Sequence, residues 1–242
     1  MPEVRDAGRV GGGPPLRPLS ARVPALATDG RSFFTRHGGG GRPAYGEEVV
    51  RGPDGHPWRR FEPRRSKTAA ALHAGGLGPE LEAVLSSPPL LYLGAASGTS
   101  LSHLADIVAP EPAYGVEVAQ RSFADLLENL RPWPNVFPVH ADARRPAAYA
   151  ALVGRAGAIV QDVAAADQVA VLAGNARAFL PDGAPALLFL KARSVDSGAD
   201  PPAVFEEARE ALAAAGLGVR EQRALEPFDR DHRAFLVRWR AA

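Results

Sequence analysis

After Pro88 and Pro89 the chain alternates short apolar runs with longer stretches of mixed polarity, a pattern that predicts buried strands joined by helices. The runs fall at 90–93 (LLYL), 113–118 (AYGVEV), 136–140 (VFPVH), 158–163 (AIVQDV), 186–191 (ALLFLK), 219–225 and 234–239 (AFLVRW). Helical stretches separate the first five runs and recur at 201–215, so crossovers join parallel strands and a doubly wound α/β sheet is predicted. Only the loop EPFDRDH lies between the last two runs, too short for a helix, and these are predicted to pair as an antiparallel hairpin at one sheet edge.

Upstream the pattern is different. Between 31 and 61, β-prone segments (RSFFTR, AYGEEVVR, PWRRFEP) are separated by the turn signals GGGG at 38–41 and GPDG at 52–55, which predicts a small antiparallel unit of hairpins. A helix follows at 66–73, with Ser66 as candidate N-cap and Gly75 and Gly76 as its stop. Before all this, a Pro-, Gly- and Arg-rich stretch has no period of either kind. The predicted division is therefore a disordered or loosely packed arm at 1–27, a small β domain at 28–65 and a main domain at 66–242.

Composition sharpens this in three places. The net charge of +1 hides an asymmetry: residues 1–68 hold 13 Lys and Arg against 7 Asp and Glu, and the rest hold 15 against 20. A basic front on an acidic body fits an anionic partner such as nucleic acid, with Arg59, Arg60, Arg64 and Arg65 as candidate contacts, and equally fits a solvated Arg-rich surface. The absence of cysteine excludes disulfides and thiolate metal sites, and no metal is expected. No apolar run reaches the length of a membrane span, and the first residues lack the apolar centre of a secretory signal, so a cytoplasmic location away from membranes is expected.

Candidate chemistry collects at the carboxyl ends of the predicted strands, where open α/β sheets bind ligands. The segment LYLGAASGTS carries a strand into a turn with Gly94 and Gly98 and then a helix near Ser100, a backbone that admits a ligand at a helix N-terminus. Its spacing is neither G-x-G-x-x-G nor a P-loop. Glu117, 23 positions after Gly94, is spaced to accept from a ribose diol, or is a solvated strand-end acid. Asp142 in HADAR either accepts from an adenine amino group or caps a helix. Asp162, Lys191 and His232 stand at the ends of further strands; converging, they would suit orienting and deprotonating a hydroxyl. Lys191 is one of only two lysines, the other being Lys67, among 26 arginines.

These segments resemble the fibrillarin family, particularly its archaeal form. The resemblance rests on YLGAASGTS (92–100), HADARRP (140–146), QDVAAADQ (161–168), LKARSVDS (190–197) and LEPFDRDHR (225–233), with AYGEEVV (44–50) and WRRFEPRRSKTAAAL (58–72) in the front domain. It implies a class I methyltransferase fold: a Rossmann-like, seven-stranded sheet with an antiparallel last strand, behind a small N-terminal antiparallel β domain. It also implies S-adenosylmethionine as methyl donor, with Gly94, Thr99, Ser100, Glu117, Val118, Asp142, Ala143, Asp162, Val163, Ala164 and Ala165 at its site, and Asp162, Lys191 and His232 as the catalytic group. The implied acceptor is a ribose 2'-hydroxyl of rRNA or tRNA, selected by a box C/D guide RNA. The implied partners are a Nop-type scaffold protein and a kink-turn-binding protein.

Two features depart from the family pattern near the site. Asp162-Val163-Ala164-Ala165-Ala166 stands where the family commonly reads Asp-Val-Ala-Gln-Pro, so a side-chain amide is missing at Ala165. Ser100 replaces a usual Thr and keeps the hydroxyl. The expected mechanism has Asp162 holding Lys191 and the acceptor hydroxyl, with Lys191 or His232 taking the proton. A methyltransferase acting on protein side chains and a non-catalytic subunit of an RNA particle are the alternatives.

Overall fold

The computed structural model describes residues 15–40, 43–52, 55–195, 198 and 200–241. The front of the chain forms an antiparallel sheet of β1 (Arg17–Pro18), β2 (Leu26–Thr28), β3 (Phe33–Arg36), β4 (Val49–Arg51) and β5 (Pro57–Phe61) in the order β1-β2-β3-β5-β4. The sheet therefore begins inside the stretch assigned to the arm, and the boundary at 28 is corrected. Val23 and Leu26 are buried against the main domain, and Leu16 and Ala27 pack with Phe34, Val50 and Trp58 in a small separate core. Four apolar residues spread among prolines and arginines show no period, yet they suffice for an edge hairpin once a sheet is there to receive them. Residues 1–14 of the predicted arm lie outside the described residues.

Helices α1 (Lys67–Gly75) and α2 (Pro79–Leu85) lead to β6 (Leu90–Leu93), followed by α3 (Thr99–Val108), β7 (Ala113–Glu117), α4 (Gln120–Leu130) and β8 (Val136–His140). The chain continues through α5 (Ala150–Val153), β9 (Ala158–Gln161), α6 (Gln168–Phe179), β10 (Pro185–Lys191), α7 (Ala192–Val195), α8 (Pro201–Ala214), β11 (Leu217–Ala224) and β12 (His232–Trp239). The seven-stranded sheet runs β11-β12-β10-β9-β6-β7-β8, and only β12 opposes its neighbours, as the short EPFDRDH loop requires. All four residues of β6 are buried, which its apolar run anticipates for a central parallel strand covered on both faces. One face packs under α1 to α4 and the front sheet; the other packs under α5, α6 and α8. Among the described residues no helix is long and apolar enough to cross a membrane.

The front sheet is joined to α3 by a buried polar cluster. Asp106 accepts from Arg59 Nε (2.8 Å), Thr35 Oγ1 (2.8 Å), Trp133 Nε1 (2.7 Å) and the Gly38 amide (2.9 Å). Arg59 also donates to Glu47 at 2.9 Å and to Ser102 at 3.0 Å, and His103 stacks on Phe61. Gly38 and Gly39, read above as part of a turn, instead let the backbone lie on the Trp133 indole; a Cβ on Gly39 would stand 2.7 Å from the ring. Arg59 is fully buried, so of the four arginines considered for nucleic acid Arg60, Arg64 and Arg65 present exposed side chains, and Arg60 is already paired with Glu48 at 3.1 Å.

This cluster makes stability depend on pH. Burial pushes the Glu47 carboxyl up, but the His103 hydrogen bond and the Arg59 charge outweigh it and hold the group at about 2. Burial and the Arg59 guanidinium push the His103 imidazole down to about 4, against the pull of Glu47 and Asp106. Both folded values lie below the unfolded ones, 6.5 for the imidazole and 4.5 for the carboxyl, so the unfolded chain takes up protons first as pH falls. The thermal midpoint is expected to fall from pH 6.5 to 4, and a His103→Gln chain to lose that limb and to keep only the part of the limb below pH 4.5 that the Arg59 charge gives Glu47; a wild-type midpoint flat across this window would refute a neutral buried imidazole. Arg59→Ala, which strands Asp106, is expected to cost about 3–5 kcal/mol in denaturant unfolding.

Candidate functional site

The carboxyl ends of β6, β7, β8 and β9 open onto a cavity of about 320 Å³. Gly94 and Glu117 form one side of it, Asp142 and Ala143 another, and Asp162, Val163, Ala164 and Ala165 a third, with Val118 exposed at the rim. Thr99 and Ser100 do not line it: they open α3, and the Ser100 hydroxyl donates to Ser66 Oγ at 2.9 Å. Ser66, expected to cap α1, makes no side-chain cap bond.

The turn that floors the cavity is built from unusual backbone. Gly94 has φ +81°, and a Cβ there would stand 2.4 Å from the Asp162 carbonyl oxygen, so β6 and β9 can approach this closely only with glycine. Ala96 also has positive φ, +48°. Its amide donates to Glu117 Oε2 at 2.8 Å, while Glu117 Oε1 accepts from the Ala119 amide at 2.7 Å. Glu117 is thus a buried acid that shapes the turn, not a solvated strand end. Each of its oxygens retains a lone pair for a ligand. Asp142 caps no helix: its Oδ1 accepts from the Arg144 amide at 2.9 Å in a local turn. Arg144 then reaches over the rim to Asp167 at 3.1 Å, a contact that sequence reasoning missed.

Beside the cavity runs a chain of polar contacts. Lys67, in the first turn of α1, places Nζ 2.7 Å from Asp162 Oδ2 and 3.7 Å from Asp229 Oδ2. Asp229 Oδ1 lies 2.8 Å from His232 Nδ1, which is also 2.9 Å from the Arg230 carbonyl oxygen. Asp162 and His232, expected to converge on one acceptor position, are linked only indirectly, through Lys67 and Asp229, neither of which was read as a site residue.

The expected Asp162–Lys191 pair does not form among the described residues. Register explains this: Leu188 faces Gln161, so Lys191 stands two residues, roughly 6–7 Å, beyond the level of Asp162. Lys191 instead sits directly opposite His232 in the β10–β12 ladder, its side chain exposed, while its main chain bonds to the Gln168 side chain at 3.2 and 3.3 Å. The signal for Lys67 was available, since a second lysine among 26 arginines is as unusual as the first.

The fibrillarin family model matches residues 24–241. The chain belongs to the fibrillarin family. It is 42% identical over 193 residues to a fibrillarin-like rRNA/tRNA 2'-O-methyltransferase of Aeropyrum pernix, covering 79% of this chain and 81% of that one. It is also 42% identical over 204 residues to the rRNA 2'-O-methyltransferase fibrillarin of Caenorhabditis elegans, covering 83% of this chain and 57% of the longer relative. Among solved structures, the Methanococcus jannaschii fibrillarin pre-rRNA processing protein superposes with a TM-score of 0.82 at 32% identity, over 90% of this chain and 94% of that one. Aeropyrum pernix fibrillarin, crystallised with natively bound S-adenosyl-L-methionine, gives 0.79 at 35% identity, over 93% and 99%. The expected fold, a methyltransferase sheet behind an antiparallel front sheet, is that of these family members.

Gly94→Ala tests the close approach of β6 and β9. It combines a positive φ with a 2.4 Å clash against backbone, and is expected to destabilise the chain by about 2–3 kcal/mol. Denaturant unfolding measures this, and a cost below about 0.5 kcal/mol would mean the turn relaxes freely.

Proposed function

We propose that this chain transfers methyl groups from S-adenosylmethionine to ribose 2'-hydroxyls of rRNA or tRNA, at positions chosen by a box C/D guide RNA. The observation that carries the reading is the chain of polar contacts Asp162–Lys67–Asp229–His232 at the edge of a cavity walled by Glu117 and Asp142. Relatives at 35–42% identity bear the name of this activity, and one of the matching structures is a fibrillarin/Nop5p complex. That complex supports a Nop-type scaffold as partner here; a kink-turn-binding protein on the guide RNA completes the proposed particle.

The residues fit the cofactor. Glu117 has lone pairs free for a ribose diol, Asp142 has Oδ2 free for an adenine amino group, and Val118 offers an exposed apolar surface for the purine. The amides at the start of α3, beside Thr99 and Ser100, favour a carboxylate. S-adenosylmethionine supplies an electrophilic methyl group on a positively charged sulfur. The chain must then hold a hydroxyl in line with it and remove one proton.

Asp162 borders both the cavity and Lys67, so it is suited to orient the acceptor hydroxyl, with Lys67 fixing the carboxylate. Both neighbours of His232 Nδ1 are acceptors, which puts the proton on Nδ1 and leaves Nε2 as the basic position. His232 is therefore better prepared than Lys191 to take the proton. Lys191, with no side-chain partner among the described residues, is free to meet an RNA phosphate.

Calorimetric titration of S-adenosylmethionine into the isolated chain tests the first half of this reading: saturable binding is expected, weakened about tenfold by Asp142→Ala. Ala165→Gln, which returns an amide to the cavity wall, is expected to tighten binding a few-fold. In the assembled particle, Lys67→Ala, Asp162→Ala and His232→Gln are each expected to lower transfer by about 10²–10⁴. Transfer that persists without guide RNA onto a protein acceptor would favour the side-chain methyltransferase. A folded chain that binds no cofactor would favour the non-catalytic subunit.

A further inference from the structure

Tyr45 belongs to the front unit, in the connection between β3 and β4, yet its side chain ends at the turn that follows β6. Its hydroxyl donates to the Ser97 carbonyl, and Asn129 Nδ2 of α4 donates to the same oxygen at 3.2 Å. Ser97 lies between Ala96 and Gly98, whose φ values of +48° and +98° are both left-handed. The peptide joining Ser97 to Gly98 is tied within the turn by its amide, which donates to the Ala95 carbonyl at 2.9 Å. Its carbonyl is held by two side chains brought from separate elements, and the preceding amide by Glu117. Tyr45 is itself well anchored. Its amide donates to Glu47 at 3.0 Å, its carbonyl accepts from Arg65 at 2.8 Å, and Glu47 is tied to the buried Arg59. Burial raises the phenol well above its ordinary range, so it remains a donor at any working pH.

We infer that Tyr45 is a positioning residue for the cofactor: through its bond to the Ser97 carbonyl, the docked front sheet sets the shape of the turn between Gly94 and α3, and thereby the affinity for S-adenosylmethionine. The inference rests on the methyltransferase reading above. It makes the front sheet a working part of the site as well as a support, and linkage makes the effect reciprocal: cofactor binding tightens the docking of the front sheet.

Tyr45→Phe removes the hydroxyl and keeps the ring. Thr35→Val is its control, deleting a hydroxyl that bonds Asp106 in the same interface without touching the turn. Both are compared with wild type by calorimetric titration of S-adenosylmethionine, by thermal unfolding, and by KM and kcat in the assembled particle. Tyr45→Phe is expected to raise Kd and KM for S-adenosylmethionine about three- to tenfold with kcat within about twofold. Thr35→Val is expected to lower the midpoint and leave Kd within about twofold. Adding Asn129→Ala to Tyr45→Phe is expected to be non-additive, because both act on one oxygen. An unchanged Kd in Tyr45→Phe, or an equal loss in Thr35→Val, overturns the positioning role. Wild type that binds no S-adenosylmethionine overturns the methyltransferase reading and this inference with it.

Discussion

Asp106 sits in the last turn of α3, where the helix dipole disfavours a carboxylate, and its side chain is fully buried. It is tolerable there because Arg59 places two guanidinium nitrogens within 2.8 Å and because Thr35, Trp133 and the Gly38 amide fill the remaining lone pairs. Every one of these donors except Trp133 comes from the front sheet or the segment leaving it. A buried ion pair adds little stability over apolar packing, but it has one satisfactory geometry. The front sheet can therefore dock on α3 in one orientation, whereas an apolar contact of the same size would permit sliding.

That orientation is carried to the site by two routes. Along the main chain, β5 ends at Phe61, buried in the core shared with α1, and α1 begins six residues later with Lys67 aimed at Asp162. Through side chains, Arg59 holds Glu47, Glu47 holds the Tyr45 amide, and Tyr45 reaches the turn after β6. At the other edge of the sheet, the tight β11–β12 connection brings Asp229 and His232 to Lys67 and lays His232 beside Lys191. Residues from the front unit, the central strands and the last hairpin thus meet at one end of a single mixed sheet.

Much of this was legible in the chain. Seven apolar runs marked the seven strands, the short last loop marked the antiparallel hairpin, and Gly94, Glu117, Asp142 and Asp162 marked the cavity by falling at successive strand ends. The first hairpin was not legible, because Leu16, Val23, Leu26 and Ala27 lie among prolines and arginines without a period. Arg59 read as one more surface cation, since nothing local distinguishes it from Arg60, its neighbour on the opposite side of β5.

Periodicity and spacing act between near neighbours, and they alone determined the sheet, its crossovers and the line of candidate residues along its carboxyl edge. Which of those residues touch was decided only by tertiary structure. Lys67 and Asp162 are 95 positions apart, and their contact depends on how the front sheet directs α1; Lys191 misses Asp162 because of a two-residue offset in strand register. Partner choice among charges is set by distances of a few ångströms, and those follow from packing between elements that no local pattern encodes.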